Sequence, residues 1–498
     1  MRPSISVSAA SSLLVLLALG ACSLAPDYKV PAAAVPSAYK ESVPGAWVEV
    51  RPEDLPSEGA WWTAFHDPQL NDFEESLTQA NQNLKAALAL YDQARAAANI
   101  SRAAYFPSIT AHIGATREQI SNTLANQPSH RLYNDFTAGA DLSYEIDLWG
   151  RVRNLVAANE AQAAASAADL AGVALSLHAQ LAIDYLHLRG DDMAQDILDK
   201  TVAADQQAYD LTRRRFKGGI APEVDVDQAE TQLENAKTQA TDMRLQRAQL
   251  EHAIAILIGK APANFTLPPA SLTEAVQPLD AGVPSLLLQR RPDIAAAERR
   301  VAAANANIGV ARAAWFPAFS ITAMLGLESA SAADWFSAPS HVWSLGPQML
   351  MPLFEGGQIN ALNDEARAAY EQTVAEYRQT VLTAYGEVED NLAALHRLAE
   401  ESQTQAIAAA AAERTLTQDN NRYRDGVATY LDVVTAQNNE LQARLAAVTI
   451  SVRRMTASVQ LIRALGGGWQ PPSSADPRPV SPAPSPARLP APSRAQWP

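Results

Sequence analysis

The chain has 498 residues and a formal charge of −15, from 54 acidic against 39 basic side chains. That balance argues against nucleic acid as a partner, because phosphate binding needs clustered Lys and Arg. A single cysteine, Cys22, excludes an intramolecular disulfide and a Cys-based zinc site, while 48% apolar residues suffice for a large core.

Residues 1–21 read as a lipoprotein signal peptide. The apolar run LLVLLALGAC, from Leu13 to Cys22, is too short to span a bilayer and ends in small residues. Leu19, Gly20, Ala21 and Cys22 resemble a bacterial lipobox, which makes Cys22 the expected site of lipidation. Ser23 is not the aspartate that resembles an inner-membrane retention signal, so the outer membrane is expected. Residues 22–66 begin rich in Pro, Ala, Ser and Val and read as a lipid-anchored extended tether.

Two nearly identical phrases, RAAYFPSIT at Arg102 and RAAWFPAFS at Arg312, lie 210 positions apart and define two structural repeats, 67–281 and 282–468. In the first, Ile109, Ala111, Ile113 and Ala115 alternate with Ser108, Thr110, His112, Gly114 and Thr116, which predicts a strand over about 107–117. A second strand is predicted over about 136–148, with Phe136, Ala138, Ala140, Leu142, Tyr144, Ile146 and Leu148 opposing Thr137, Gly139, Asp141, Ser143, Glu145 and Asp147. The second repeat predicts strands over about 317–328 and 342–354, the last weakened by Pro347 and Pro352. Each strand has the length and two-sided pattern of a membrane strand, and aromatics gather at the ends: Tyr105, Phe106, Phe136, Trp149, Trp315, Phe316, Trp335, Trp343 and Phe354.

After each strand pair comes a proline-free run, Arg151 to Lys217 and Gln358 to Asp425. As unbroken helix each would extend about 100 Å. Gly172, Gly190 and Gly386 are the places where a kink or break is expected. The runs end at RRFKGGIAPEVDVDQA and NRYRDGVATYLDVVTA, aligned at an offset of 207, whose glycines suit left-handed caps and predict hairpin tips near 218–219 and 425–426. Returning helices carry 4-3 apolar spacing: Leu441, Leu445, Val448, Val452, Met455, Val459 and Ile462 in one. Leu233, Ala236, Ala240, Met243, Leu250, Ile254 and Leu257 form the other, with Arg247 as the exception. Residues 469–498 read as a Pro-rich disordered tail.

Four strands cannot close a barrel, and an open edge in lipid leaves backbone groups unpaired. The expected fold is therefore an α+β membrane protein with two internal repeats. Four strands per subunit join a shared transmembrane β-barrel, continued by a long periplasmic α-helical coiled-coil barrel.

The phrases CSLAPDYKVP, WWTAFHDPQL (Trp61 to Leu70), RRPDIAAAERRVAAANANIGVARAAWFP (Arg290 to Pro317) and MPLFEGG (Met351 to Gly357) resemble signatures of the TolC-like outer membrane factor family. They are most similar to its lipoprotein, NodT-type branch. The resemblance covers Cys22 to about Trp469. It implies a homotrimer with a twelve-stranded barrel, docked to a periplasmic adaptor and an inner-membrane efflux pump. The implied function is a passive exit duct for drugs or other small toxic compounds.

The family's periplasmic gate maps onto Leu431 and Asp432, with Tyr423 and Asp225 as further gate candidates. A second acidic residue frequent in the family is Thr435 here, and an arginine that ties neighbouring coils in some relatives has no match at Ala428. Arg215, Gly219, Arg422, Gly426 and Val427, at the tips, are the expected adaptor contacts.

Nothing points to an enzyme or a cofactor beyond the lipid on Cys22. The eight histidines are scattered, with His178 and His187 off the spacing that lets two rings share a metal. The acidic pairs Asp191–Asp192 and Glu74–Glu75 are expected to be solvated helix ends. Two alternatives stay open: an exit duct for type I protein secretion or metal-ion export, and a structural coiled-coil lipoprotein without a pore.

Overall fold

The computed structural model describes residues 23–41, 60–121, 132–272 and 290–470. Cys22, the signal segment and the tail beyond Gln470 lie outside them.

Two helices lead into the first strand pair. α1 (Pro68–Ala80) starts where Asp67 accepts from the Gln69 and Leu70 amides and Pro68 presets the first turn. Asn81 caps α2 (Gln82–Arg102), and its amide donates to the Leu257 carbonyl at 2.8 Å, fixing α2 against a distant helix end. Strands β1 (Ser108–Gln119) and β2 (Leu132–Ile146) follow, then α3 (Arg151–Lys217) and α4 (Glu223–Leu257). The second half gives α5 (Pro292–Ala313), β3 (Ala318–Ser329), β4 (His341–Leu350), α6 (Gln358–Arg424) and α7 (Tyr430–Ala464).

The repetition is metrical. α3 and α6 each have 67 residues and α4 and α7 each have 35, every boundary displaced by 207 positions. β1 and β3 each have 12 residues, displaced by 210, so the register between halves changes within the strand pairs.

The four strands form one antiparallel sheet in the order β1-β2-β3-β4, leaving β1 and β4 as unpaired edges within the chain. β2 begins four residues before the position expected from alternation, because β1 extends to Gln119, which pairs with Leu132. It also ends earlier, at Ile146. Asp147 leaves the ladder and its carboxylate accepts from the Val152 and Arg153 amides, capping a helix preceded by Gly150, which has no side chain to do so. β4 likewise stops at Leu350, before Pro352. Pro347 falls within it, opposite Ile321 of β3.

The glycines expected to break the long helices do not. α3 passes through Gly172 and Gly190, and α6 through Gly386, without interruption.

The largest core forms where α1 crosses the middle of α3 and the ends of α4 and α7, burying Leu70, Leu77, Leu181, Leu188, Ile254 and Val459. Trp61 and Phe65 join it from a short 3-10 turn, so the last residues of the expected tether already belong to the folded body. A second core unites Ile294 and Val301 of α5 with Tyr377, Val381 and Val388 of α6.

Residues 23–41 depart further from a loose tether. They run along α5 and α6 as a docked strap. Tyr28 hydroxyl donates to Glu298, Asn305 to the Pro26 carbonyl, and Arg378 to the Ala32 carbonyl. Tyr39 is 5% exposed, buried with Val381 and Val388, and the Glu389 carboxylate accepts from the Lys40 and Glu41 amides at 2.8 and 3.0 Å.

The expectation that the acidic pairs are solvated is corrected at two positions. Glu74 is fully buried, with Oε2 2.6 Å from His178 Nδ1, and the imidazole stacks on Trp62. Asp192 is buried between Arg189, at 2.9 Å, and Arg247, at 2.6 Å. Arg247, the exception in the apolar seam of α4, also pairs with Glu251 and donates to the Leu267 carbonyl. A charge inside the seam thus holds the connection between the repeats.

Candidate functional site

The cross-strand register sorts the sheet into two chemically distinct faces. Ile109–Leu142–Ala323–Leu345, Ala111–Ala140–Leu325–Trp343 and Ile113–Ala138–Leu327 form apolar rows. Ile109, Ile113, Leu325, Trp343 and Leu345 are exposed along them, Ile113 by 74% and Trp343 by 72%. An uncovered apolar face of this extent in a folded chain is the face that lipid covers.

The opposite rows are polar, Ser108–Ser143–Thr322–Gly346 and Thr110–Asp141–Met324–Ser344 among them. At one end of the sheet Trp149 stacks on Phe316 at 4.7 Å and donates to the Pro317 carbonyl, with Tyr105, Phe106, Trp315 and Phe354 nearby in the chain. At the other end Phe136 meets Trp335, which meets Phe336. These aromatics fall into two girdles, as at the two boundaries of a bilayer, whereas Trp343, expected among them, lies within the apolar face opposite Leu325.

The far ends of the long helices form two matched tips. Gly219 and Gly426 adopt φ of 72° and 75°, and the following amides, of Ile220 and Val427, donate back to the Arg215 and Arg422 carbonyls at 2.9 Å. Each is a helix C-terminus closed by a left-handed glycine, with its orphan carbonyls satisfied. Ile220 and Val427 are exposed beside them. Gly219, Arg422, Gly426 and Val427 are all exposed, as a docking surface requires.

Arg215 differs from the other expected contact residues. It is half-buried, its guanidinium 4.7 Å from the Tyr423 ring centre. Tyr423 is itself buried, 5.4 Å from Tyr430, in a cluster with Ala229 and Val433. This contact joins α3 of the first hairpin to α6 of the second. Sequence reading placed both residues at the tips without pairing them, since only the fold brings positions 215 and 423 together.

Leu431 is 57% exposed and Asp432 fully exposed at the start of α7. Asp432 forms a capping box: its carboxylate accepts from the Thr429 amide and hydroxyl at 2.9 and 2.8 Å, while Thr429 Oγ1 accepts from the Asp432 amide. These hydrogen bonds hold the carboxyl below its ordinary range and keep it charged. Asp225, its counterpart, is half-buried; Pro222 stands where Thr429 does, so the first repeat has no such box. Thr435 turns its hydroxyl to the Leu431 carbonyl at 2.8 Å.

The strap begins beside the sheet. Ser23 Oγ donates to Asn154 Oδ1 at 2.9 Å, and Arg312 donates to the Leu24 carbonyl at 3.1 Å. Asn154 lies in the first turn of α3, just after β2, and Arg312 just before β3. The residue following Cys22 is thus fixed at the foot of the strands; Cys22 itself lies outside the described residues.

The sequence matches the family model described as outer membrane efflux protein over residues 75–260 and 283–467. It is 33% identical over 454 residues to the antibiotic efflux pump outer membrane protein ArpC of Pseudomonas putida, covering 91% of this chain and 93% of that one. It is 32% identical, over the same length and with the same coverage, to the toluene efflux pump outer membrane protein TtgC of Pseudomonas putida. The structure superimposes on the CmeC outer membrane channel of Campylobacter jejuni with a TM-score of 0.86 at 25% identity, covering 91% of this chain and 96% of that one.

Proposed function

Because the chain belongs to the outer membrane efflux protein family and forms the outer-membrane channel of an efflux pump, we propose that three copies assemble into one exit duct for small toxic compounds. The observation that carries this reading is the four-stranded sheet with one lipid face, one polar face and two unpaired edges. Neighbouring copies would pair edge to edge, enclose the polar faces as a lumen, and continue it through the bundled 67-residue helices.

Antibiotics and toluene, named for the relatives, indicate the substrate range to test first. The chain would supply only the passage. An inner-membrane pump would drive transport through a periplasmic adaptor seated on the tips around Gly219, Arg422, Gly426 and Val427.

The gate reading rests on the tips. Three copies of Asp432 around one axis would repel one another and attract cations, with Leu431 narrowing the mouth. Arg215 over Tyr423 fastens the two hairpins of each copy and is better read as part of the gate than as an adaptor contact.

Lipidation of Cys22 is supported by the strap, which pins Ser23 at the foot of the strands, where an acyl chain would enter the bilayer directly. A Cys22→Ala variant should lose incorporation of labelled palmitate; retained label would end this assignment.

Conductance across a planar bilayer tests the duct reading. Discrete channel openings are expected, whereas a structural coiled-coil lipoprotein passes no current.

A further inference from the structure

The two tips repeat one another, yet one side of the repeat is packed and the other is open. Displacement by 207 sets Arg215 against Arg422, Phe216 against Tyr423 and Val226 against Val433. Inside the chain the first hairpin gives the cation and the second gives the ring: Arg215 lies 4.7 Å from the centre of Tyr423. Tyr423 is 9% exposed and Val433 is buried beside it.

The counterparts reverse these roles and lie open. Phe216 is 40% exposed, Val226 half-buried, and the Arg422 side chain 58% exposed. Arg422 reaches Asp419 on its own helix at 3.0 Å, and an exposed ion pair of that spacing contributes too little to fix a guanidinium. Phenylalanine offers the same ring face to a cation and lacks only the hydroxyl, which in Tyr423 has no partner among the described residues.

The step that carries the first hairpin onto the second, taken once more, carries the second onto the first hairpin of a next copy. The sheet obeys the same step: β2 pairs with β3 inside the chain, and the equivalent strands, β4 and β1, are its open edges. Applied to the tips, it turns Arg215 over Tyr423 into Arg422 over Phe216 of the next copy. Higher up the match lapses, with Arg397 in the place of Gly190, so the joint is assigned at the tip alone.

We infer that Arg422 of each copy lies over the Phe216 ring of the next, so that contacts between copies alternate with the Arg215–Tyr423 contacts inside them and close the tips into one ring. The inference rests on the duct reading, which supplies the three copies. Opening the mouth then has to break both sets of contacts. Arg422 reaches sideways, which narrows the adaptor surface to Gly219, Gly426 and Val427.

The test uses the full-length chain co-expressed in two differently tagged forms, Phe216→Cys and Arg422→Cys, and treated in outer membranes with a short bismaleimide. A covalent dimer carrying both tags is expected, and neither form expressed alone should give one. In planar bilayers Arg422→Ala should raise open probability roughly tenfold, three contacts each counting about two- to threefold. Adding Phe216→Ala to it should change nothing further. A trimeric particle without the mixed dimer overturns the inference and leaves the duct reading standing, as do effects of Arg422→Ala and Phe216→Ala that multiply. If a conductance variant fails to insert, the mixed dimer decides alone. A particle that is not trimeric removes the duct reading, and this inference with it.

Discussion

Gly190 of α3 and Val452 of α7 meet with no room for a methyl group between them: a Cβ on Gly190 would lie 2.3 Å from Val452 Cγ2. This contact, well inside both helices, seats the second hairpin against the first. Gly190→Ala gains helix propensity of about 1 kcal/mol but overpacks the crossing at a cost of about 1–3 kcal/mol. A lower thermal midpoint is expected, and adding Val452→Ala should recover part of the loss. A Gly190→Ala variant as stable as wild type would show that the helices separate freely here.

The strap offers a local test. Glu389 accepts from two successive strap amides, and hydrogen bonds to a charged group contribute roughly 1.5–3 kcal/mol. Glu389→Ala should raise hydrogen exchange at Lys40 and Glu41 by ten- to a hundredfold, leaving β1–β4 protected. Unchanged exchange at both amides would mean that burial of Tyr39 and the other strap contacts hold this end without Glu389.

Glu74 and His178 give stability a pH dependence of definite sign. Burial pushes Glu74 up to about 9 and His178 down to about 4, so Glu74 is protonated, His178 neutral, and the carboxyl proton is donated to Nδ1. The raised Glu74 contributes stability that is full below about pH 4.5 and declines as pH rises toward 9. The depressed His178 loses stability as pH falls from about 6.5 toward 4. The two slopes oppose each other below pH 6.5, and above it the Glu74 slope stands alone. Glu74→Gln should therefore flatten the alkaline decline in the denaturation midpoint between pH 7 and 9. An equally steep decline in the variant would contradict the protonated assignment.

At the tips, Tyr423 and Arg215 should respond differently. The Tyr423 hydroxyl is buried without a partner among the described residues, so Tyr423→Phe should leave conductance unchanged and stability equal or slightly higher. Arg215→Ala removes a cation–π contact of about 0.5–1 kcal/mol and should raise channel open probability. Equal open probability in Arg215→Ala and wild type would exclude this contact from the gate.

Asp432→Ala should change conductance or cation preference, and Asp432→Asn should reproduce the change, because it removes the charge while conserving shape. Unchanged values in both variants would reduce Asp432 to a helix cap.

The repeated halves were legible in the sequence because their signals are local. Proline-free runs gave the 67-residue helices, paired glycines gave the tips, and strict alternation gave the two faces of β1 and β2. What escaped depends on partners far along the chain. Glu74 meets His178 across 104 positions and Arg247 meets Asp192 across 55, so neither acid announces its burial by spacing. β2 was placed too late because Asn134 and Asp135 lack the apolar member that alternation needs, although β1 pairs with both through Arg117 and Thr116. The strap was missed for a related reason: its Pro- and Ala-rich composition shows no period, and Tyr39 is buried by helices that begin more than 250 residues later.

We propose that these strands form one panel of a shared wall. Oligomeric mass and particle shape of the protein extracted from outer membranes in mild detergent test it most directly. Three copies are expected, in a particle with a membrane-sized barrel and a long tapering tube. A compact single copy would mean that the β1 and β4 edges close on something else, and would contradict the shared barrel.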